Sequence, residues 1–229
     1  PMPVDDMNAL DALVPLVLGQ HGLVLDAADE LDAARLLTLV RDQLPNCNPT
    51  LLGGGNEFRA QAELAALLGS KGGTLILPIE FPQAPDLVSP TAADTVSLRD
   101  LMTWRYAPTN PKRFVAGGTP VALTTHRMQD RGGFRKRLAD AIAHGLTTDE
   151  ALAALTTTPA RLLGVDARAG TLETGKLANL VVSSGDPFNA ESKYEAMFVA
   201  GMPVVLPPDQ PVLAAGAFAV TANGTTPKP

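Results

Sequence analysis

The sequence predicts an α/β fold, a parallel sheet covered by helices with a small β-layer appended, and three observations carry that expectation. Four short apolar runs between residues 20 and 124 are each followed by a segment of helical periodicity. None of the four alternates polar with apolar residues, as a half-solvated antiparallel strand would. Beyond Gly164 the helical period gives way to short strands separated by turn pairs.

Leu10, Leu13, Val14, Val17 and Leu18 recur at helical spacing from Met7 to a stop at Gly19. Gly22-Leu23-Val24-Leu25 is a strand ending in Asp26, and Ala27 to Leu44 is a helix with Leu31, Ala34, Leu37 and Val40 on one face. Thr50-Leu51-Leu52 runs into Gly53, Gly54 and Gly55, after which Asn56 caps a helix carrying Phe58, Ala62, Ala65 and Leu68. Thr74 to Leu77 is the third strand. A Pro-rich loop from Pro78 to Pro90 comes next, and Ser97 opens a helix through Leu98, Leu101 and Met102 towards Val115. Thr119 to Leu123 is the fourth strand, leading to a helix from Phe134 to His144. Doubly wound sheets and (β/α)8 barrels share this grammar, but a full barrel needs eight units, so four make a half-barrel with open edges.

After Gly145 comes a helix capped by Thr148 with Asp149 and Glu150 in its first turn, then a second short helix begun at Pro159. Short strands are expected at residues 170–172, 179–182, 197–199 and 203–205. The expected division is residues 1–164 for the barrel units, 165–206 for the β-layer and 207–229 for an irregular tail rich in Pro, Ala, Gly and Thr.

Composition bounds the function. The chain has 229 residues, 45% of them hydrophobic, with a net charge of −6 and a pI near 5.0. It offers no basic face for nucleic acid or an anionic membrane. No apolar run approaches the roughly 18–20 residues that span a bilayer, and PMPVDDMNAL carries acids where a signal peptide carries bases. A soluble protein is expected, cytoplasmic, or exported if a signal lies upstream; the start at Pro1 rather than Met suggests that something precedes it. Cys47 is the single cysteine, so no internal disulfide forms and an inert or buried thiol is expected.

The stretch from Gly145 to Pro203 resembles the C-terminal part of the metal-dependent amidohydrolase superfamily, especially its imidazolonepropionase-like members. The resemblance rests on Gly-Leu-Thr-Thr-Asp-Glu-Ala-Leu (145–152), Thr-Thr-Thr-Pro-Ala-Arg-Leu-Leu-Gly (156–164) and Gly-Thr-Leu-Glu-Thr-Gly-Lys-Leu-Ala-Asn-Leu-Val-Val (170–182). Gly-Asp-Pro (185–187) and Phe-Val-Ala-Gly-Met-Pro-Val (198–204) complete it. It implies the C-terminal half of a TIM-like (β/α)8 barrel, family strands five to eight, plus strands of a small β-sandwich. It also implies hydrolysis of a C–N bond in a small amide, cyclic amide or dipeptide-like substrate. A divalent metal, zinc before others, would act in the complete protein, and the missing barrel half would come from an upstream segment or a separate subunit.

Carried over residue by residue, the family's ligands change. No His-x-His occurs, Asp26 stands where a His is usual at the fifth strand, glycines follow the sixth, and His126 replaces the Asp of the eighth. In one reading Asp26 and His126 have exchanged roles and serve as catalytic groups and metal ligands with others from outside the segment. In the other the metal is lost and both are pocket residues, in a catalytically silent subunit with a structural or binding role. Strand ends on this side are where barrel enzymes place their chemistry, so Thr125, Arg127 and Glu80 are the expected substrate contacts. Arg131, Arg135, Lys136 and Arg137 read mostly as a solvated helix face, His21 as a turn residue, and His144 as a group suited to a helix C-terminus. The glycine triplet reads either as backbone N–H groups presented to an anion or as a tight strand-to-helix turn.

Overall fold

A computed structural model describes residues 5–87, 91, 94–189 and 191–205. Its first portion repeats strand and helix: α1 (Asp5–Val17), β1 (Leu23–Asp26), α2 (Glu30–Gln43), β2 (Pro49–Leu52), α3 (Gln61–Gly69) and β3 (Thr74–Pro78). Then come α4 (Leu98–Tyr106), α5 (Asn110–Ala116), β4 (Val121–Thr124), α6 (Phe134–Ala143), α7 (Thr148–Leu155) and α8 (Thr157–Leu162). The four strands pair in sequence order, β1-β2-β3-β4, all parallel.

Register and alternation decide which face is core. Leu25, Leu51, Leu75 and Val121 stand in one row across the sheet. Successive side chains of a strand point to opposite faces, so this row meets the helices. It packs with Ala33 and Leu37 of α2, Leu64, Leu67 and Leu68 of α3, and Phe114 of α5 in one buried cluster. The offset row, Asp26, Leu52, Ile76 and Ala122, lies on the opposite face. On the edge strand β1 that face is bare: Val24 is 62% exposed.

Several helix boundaries differ from the sequence reading, each for a local reason. Asp29 caps α2, its carboxylate accepting from Leu31 N and Asp32 N, so the helix starts later than Ala27. Asn56 makes no side-chain cap: it precedes a single 3-10 turn, Glu57–Arg59, and α3 begins only at Gln61. The helix opened by Ser97 is real and closes a reciprocal capping box with Asp100. It does not run on to Val115, because Ala107–Thr109 tightens into a 3-10 turn around Pro108 and α5 restarts before Pro111. The cap of α7 is Thr147, paired with Glu150, one residue before the expected Thr148; α8 begins at Thr157.

A second cluster joins the barrel portion to the C-terminal sheet. Ile79 and Phe81 after β3, Met128 after β4, Leu138 and Ala141 of α6, Leu146 in the turn before α7 and Ala151 of α7 are buried together with Phe188. Phe188 belongs to the loop between β5 (Leu180–Ser183) and β6 (Tyr194–Val199), which with β7 (Met202–Val204) form an antiparallel three-stranded sheet. Residues 170–172, expected as a strand, carry none; Gly170 is held at φ +95° against Ala160 and Thr156. Arg135 is no solvated residue: its guanidinium donates to the carbonyls of Asn189 and Ser192 and lies 4.8 Å over the Tyr194 ring. It pins the β-layer to α6. The expected tail at 207–229 lies outside the described residues. No helix among them is long and apolar enough to cross a membrane.

Candidate functional site at the strand-end rim

All four strands end on one side, because parallel pairing places Asp26 beside Leu52, Leu52 beside Ile76 and Pro78 beside Thr124. Asp26, the glycine triplet, Pro78 to Glu80 and Thr125 to Arg127 therefore share a rim, as the repeated strand-then-helix pattern requires. Ligands of parallel sheets bind at this edge.

The loop after β4 is fixed by its own backbone. His126 N donates to Thr124 Oγ1 at 3.0 Å, and Met128 N to the Thr125 carbonyl at 3.1 Å. Met128 is buried in the second cluster. Between these anchors Arg127 adopts φ +66°, a left-handed conformation that costs a residue with a Cβ about 1 kcal/mol. Its guanidinium reaches back across the rim and donates through Nη2 to Asp26 Oδ1. The structure thus joins Asp26 to Arg127; the contact recorded for His126 is made by its backbone, and its side chain is exposed.

Beneath the rim lies a carboxylate that sequence reasoning missed. Glu57 is fully buried, with Oε1 accepting from Gly54 N at 2.5 Å and Gly55 N at 3.1 Å, and Oε2 accepting from Asn110 Nδ2 at 2.8 Å. A Cβ at Gly53 would stand 2.4 Å from Glu57 Oε1, and one at Gly54 would stand 2.3 Å from the Ala28 carbonyl. Both readings of the glycine triplet are met at once: it is a tight turn, and its N–H groups do bind an anion, the chain's own Glu57. A glutamate two residues past a glycine run was the available signal.

Glu80 does not stand free for a ligand, because Arg137 Nη2 donates to its Oε1 at 2.9 Å while Nη1 donates to the Phe81 carbonyl, also at 2.9 Å. Arg137 is therefore a brace for the loop after β3 and not part of a solvated face. On the far side of the rim, buried Glu30 at the start of α2 meets Arg59 at 3.4 Å and Arg99 at 3.5 Å. Arg59 also donates to Thr103 of α4, so that helix is held against the rim by polar contacts. Two surface clefts lie elsewhere, one along α2 lined by Arg35, Thr38 and Asp42, the other beside α8 lined by Arg161, Asp166 and Lys176.

The donor set tests the expected metal. Among the described residues no three His, Cys, Asp or Glu side chains come together as a metal-holding group. A guanidinium already neutralises Asp26, and a fixed cation there opposes a divalent ion. These residues do not fit a metal site by themselves.

Four parallel strands with helices on one face, their C-terminal ends gathered on one side, and an appended antiparallel layer have the architecture of half of a (β/α)8 barrel. The model of the amidohydrolase family matches residues 110–210. The fold is similar to an amidohydrolase from Thermotoga maritima MSB8, at 20% identity and TM-score 0.63, over 90% of this chain and 48% of that one. It is similar also to a second amidohydrolase (15%, TM-score 0.56, 85% and 48%) and to a prolidase complexed with N-methylphosphonate-L-proline (17%, TM-score 0.52, 88% and 47%). No curated protein matches the chain. It spans about half the length of the solved structures it resembles. The match to the amidohydrolase family model spans less than half of the chain, its C-terminal portion, and it covers the stretch in which the motifs lie.

Proposed function

We propose that this chain forms the C-terminal barrel half of a hydrolase that cleaves a C–N bond in a small amide, cyclic amide or dipeptide-like molecule. The observation that carries the reading is the family match over residues 110–210, which includes β4 and the rim residues Thr125, His126 and Arg127. Zinc or another divalent ion, with most of its ligands, would belong to polypeptide outside these residues, an upstream half or a separate subunit. The described chain's own part is positional: it closes one side of the mouth and sets a cation in it.

A second reading, a catalytically silent subunit with a binding role, is favoured by one specific feature. The strand-end carboxylate that could bind metal, Asp26, is engaged by Arg127. Metal counting by mass spectrometry on the complete protein, together with turnover of N-acyl amino acids, cyclic amides and dipeptides, separates the two. Stoichiometric divalent ion with turnover lost on chelation is the expected result. A metal-free protein without turnover on any of the three classes leaves the silent subunit.

A further inference from the structure

The guanidinium of Arg127 occupies a position that the fold goes to some length to create. It departs from the end of β4 and reaches the end of β1, so it crosses the mouth of the sheet and is not confined to its own edge. Its backbone is held in the left-handed region between two anchored neighbours, His126 through Thr124 and Met128 through the buried cluster. Non-glycine residues keep such a conformation where the surroundings over-determine it, commonly at ligand sites. The floor under the guanidinium is prepared as well. Only a glycine at position 54 lets the loop after β2 approach the Ala28 carbonyl after β1, and a Cβ there would also come within 3.4 Å of Arg127 Nη1.

We propose that Arg127 is an anion-binding residue of the rim that receives a carboxylate of the substrate, with Asp26 as the internal carboxylate that holds the guanidinium in register. This rests on reading the rim as the substrate mouth and deepens it by naming the substrate class: a small amide that bears a carboxylate. A guanidinium offers five N–H donors in a planar fork, and the contact to Asp26 uses Nη2, which leaves other donors for a ligand. The side chains of Arg127 and Asp26 are 31% and 59% exposed, so an incoming carboxylate can reach the pair from solvent. Exposed pairs of this kind contribute little stability, so rearranging one on binding costs little. Arg137, a second arginine near the rim, is committed to Glu80 and the Phe81 carbonyl. Asp26 repels a second anion even as it orients the arginine, so its charge sets the strength of carboxylate binding.

The test is a binding measurement on the whole chain, by amide chemical shifts at residues 53–55 and 127, with N-acetylglycine against its neutral counterpart N-acetylglycinamide. The wild type should prefer the carboxylate, Arg127→Gln should abolish that preference, and Asp26→Asn should tighten the carboxylate about tenfold while leaving the amide unchanged. Equal binding of both probes by the wild type, or a preference that survives in Arg127→Gln, overturns the proposal. If Arg127→Gln does not fold, Asp26→Asn decides alone, and no tightening there also overturns it. Absence of turnover or metal in the complete protein would count against the hydrolase reading without changing this preference, so the two failures are distinguishable.

Discussion

At the level of single residues, the glycine triplet and Glu57 form a unit whose energetics can be measured. A carboxylate buried among N–H donors is stable because each lost water is replaced by a directed hydrogen bond, whereas removing one partner strands the others without water. Gly53→Ala would drive a methyl group to 2.4 Å from Glu57 Oε1, so it should cost about 2–4 kcal/mol in urea unfolding. Glu57→Ala should cost at least as much, because the N–H groups of Gly54 and Gly55 and the Asn110 amide all lose their acceptor. A loss below about 0.5 kcal/mol for both variants would mean that the loop relaxes to water and that the carboxylate shapes nothing.

Among the elements, α7 has an N-terminus specified by side chains and tied to a neighbouring helix. Thr147 and Glu150 cap it reciprocally, and Lys112 of α5 donates to both oxygens of Glu150, at 2.7 and 3.0 Å. Thr147→Ala should cost about 1 kcal/mol. The Lys112 ammonium, assisted by the Thr147 N–H, holds the Glu150 carboxyl below its ordinary value of 4.5. A group whose folded value is depressed contributes stability that is present above its unfolded value and lost as pH falls through the folded one. The contribution of Glu150 should therefore be complete above about pH 4.5 and decline in more acidic solution. Lys112→Met should flatten the pH dependence of unfolding in that range, by no more than about 1 kcal/mol for so exposed a pair; an unchanged acid limb would remove the pair from the account. The helix α4 contrasts with α7, since none of its residues is buried and it is held by Arg59, Arg99 and its capping box. Hydrogen exchange in residues 98–106 should accordingly be faster than in residues 148–155.

For the whole molecule, the question is what meets the two edge strands. β1 and β4 each pair on one side only within the described sheet, and Val24 lies bare on the face opposite the helices. Leu13, Val14, Val17 and Leu18 of and after α1 are exposed as well. A half-barrel of this kind should associate, with an upstream half, a separate subunit or other copies, because an open parallel edge presents unpaired N–H and C=O groups. Sedimentation of the chain alone should depend on concentration. A monodisperse monomer with slow amide exchange in both residues 23–26 and 121–124 would instead mark a self-contained four-stranded domain.

The apolar runs and their helical sequels were enough to determine the parallel sheet, its strand order and the rim, because side-chain periodicity is a local property that survives without tertiary context. Ser97 likewise marked the start of a helix from its own neighbourhood. The motifs from Gly145 onwards carried the resemblance to the amidohydrolase family in the same way, being runs of adjacent residues, and they lie inside the stretch that the family model matches. What the sequence could not contain were partnerships across long separations. Asp26 and Arg127 are 101 positions apart, Glu57 and Asn110 are 53, and Glu80 and Arg137 are 57. Each joins loops that only the pairing of the strands brings within reach, and a charge can be seen in a sequence while its counter-charge cannot. Folding therefore decided that the strand-end carboxylate belongs to an arginine, that the glycine turn already holds an anion, and that Arg135 and Arg137 after β4 are braces.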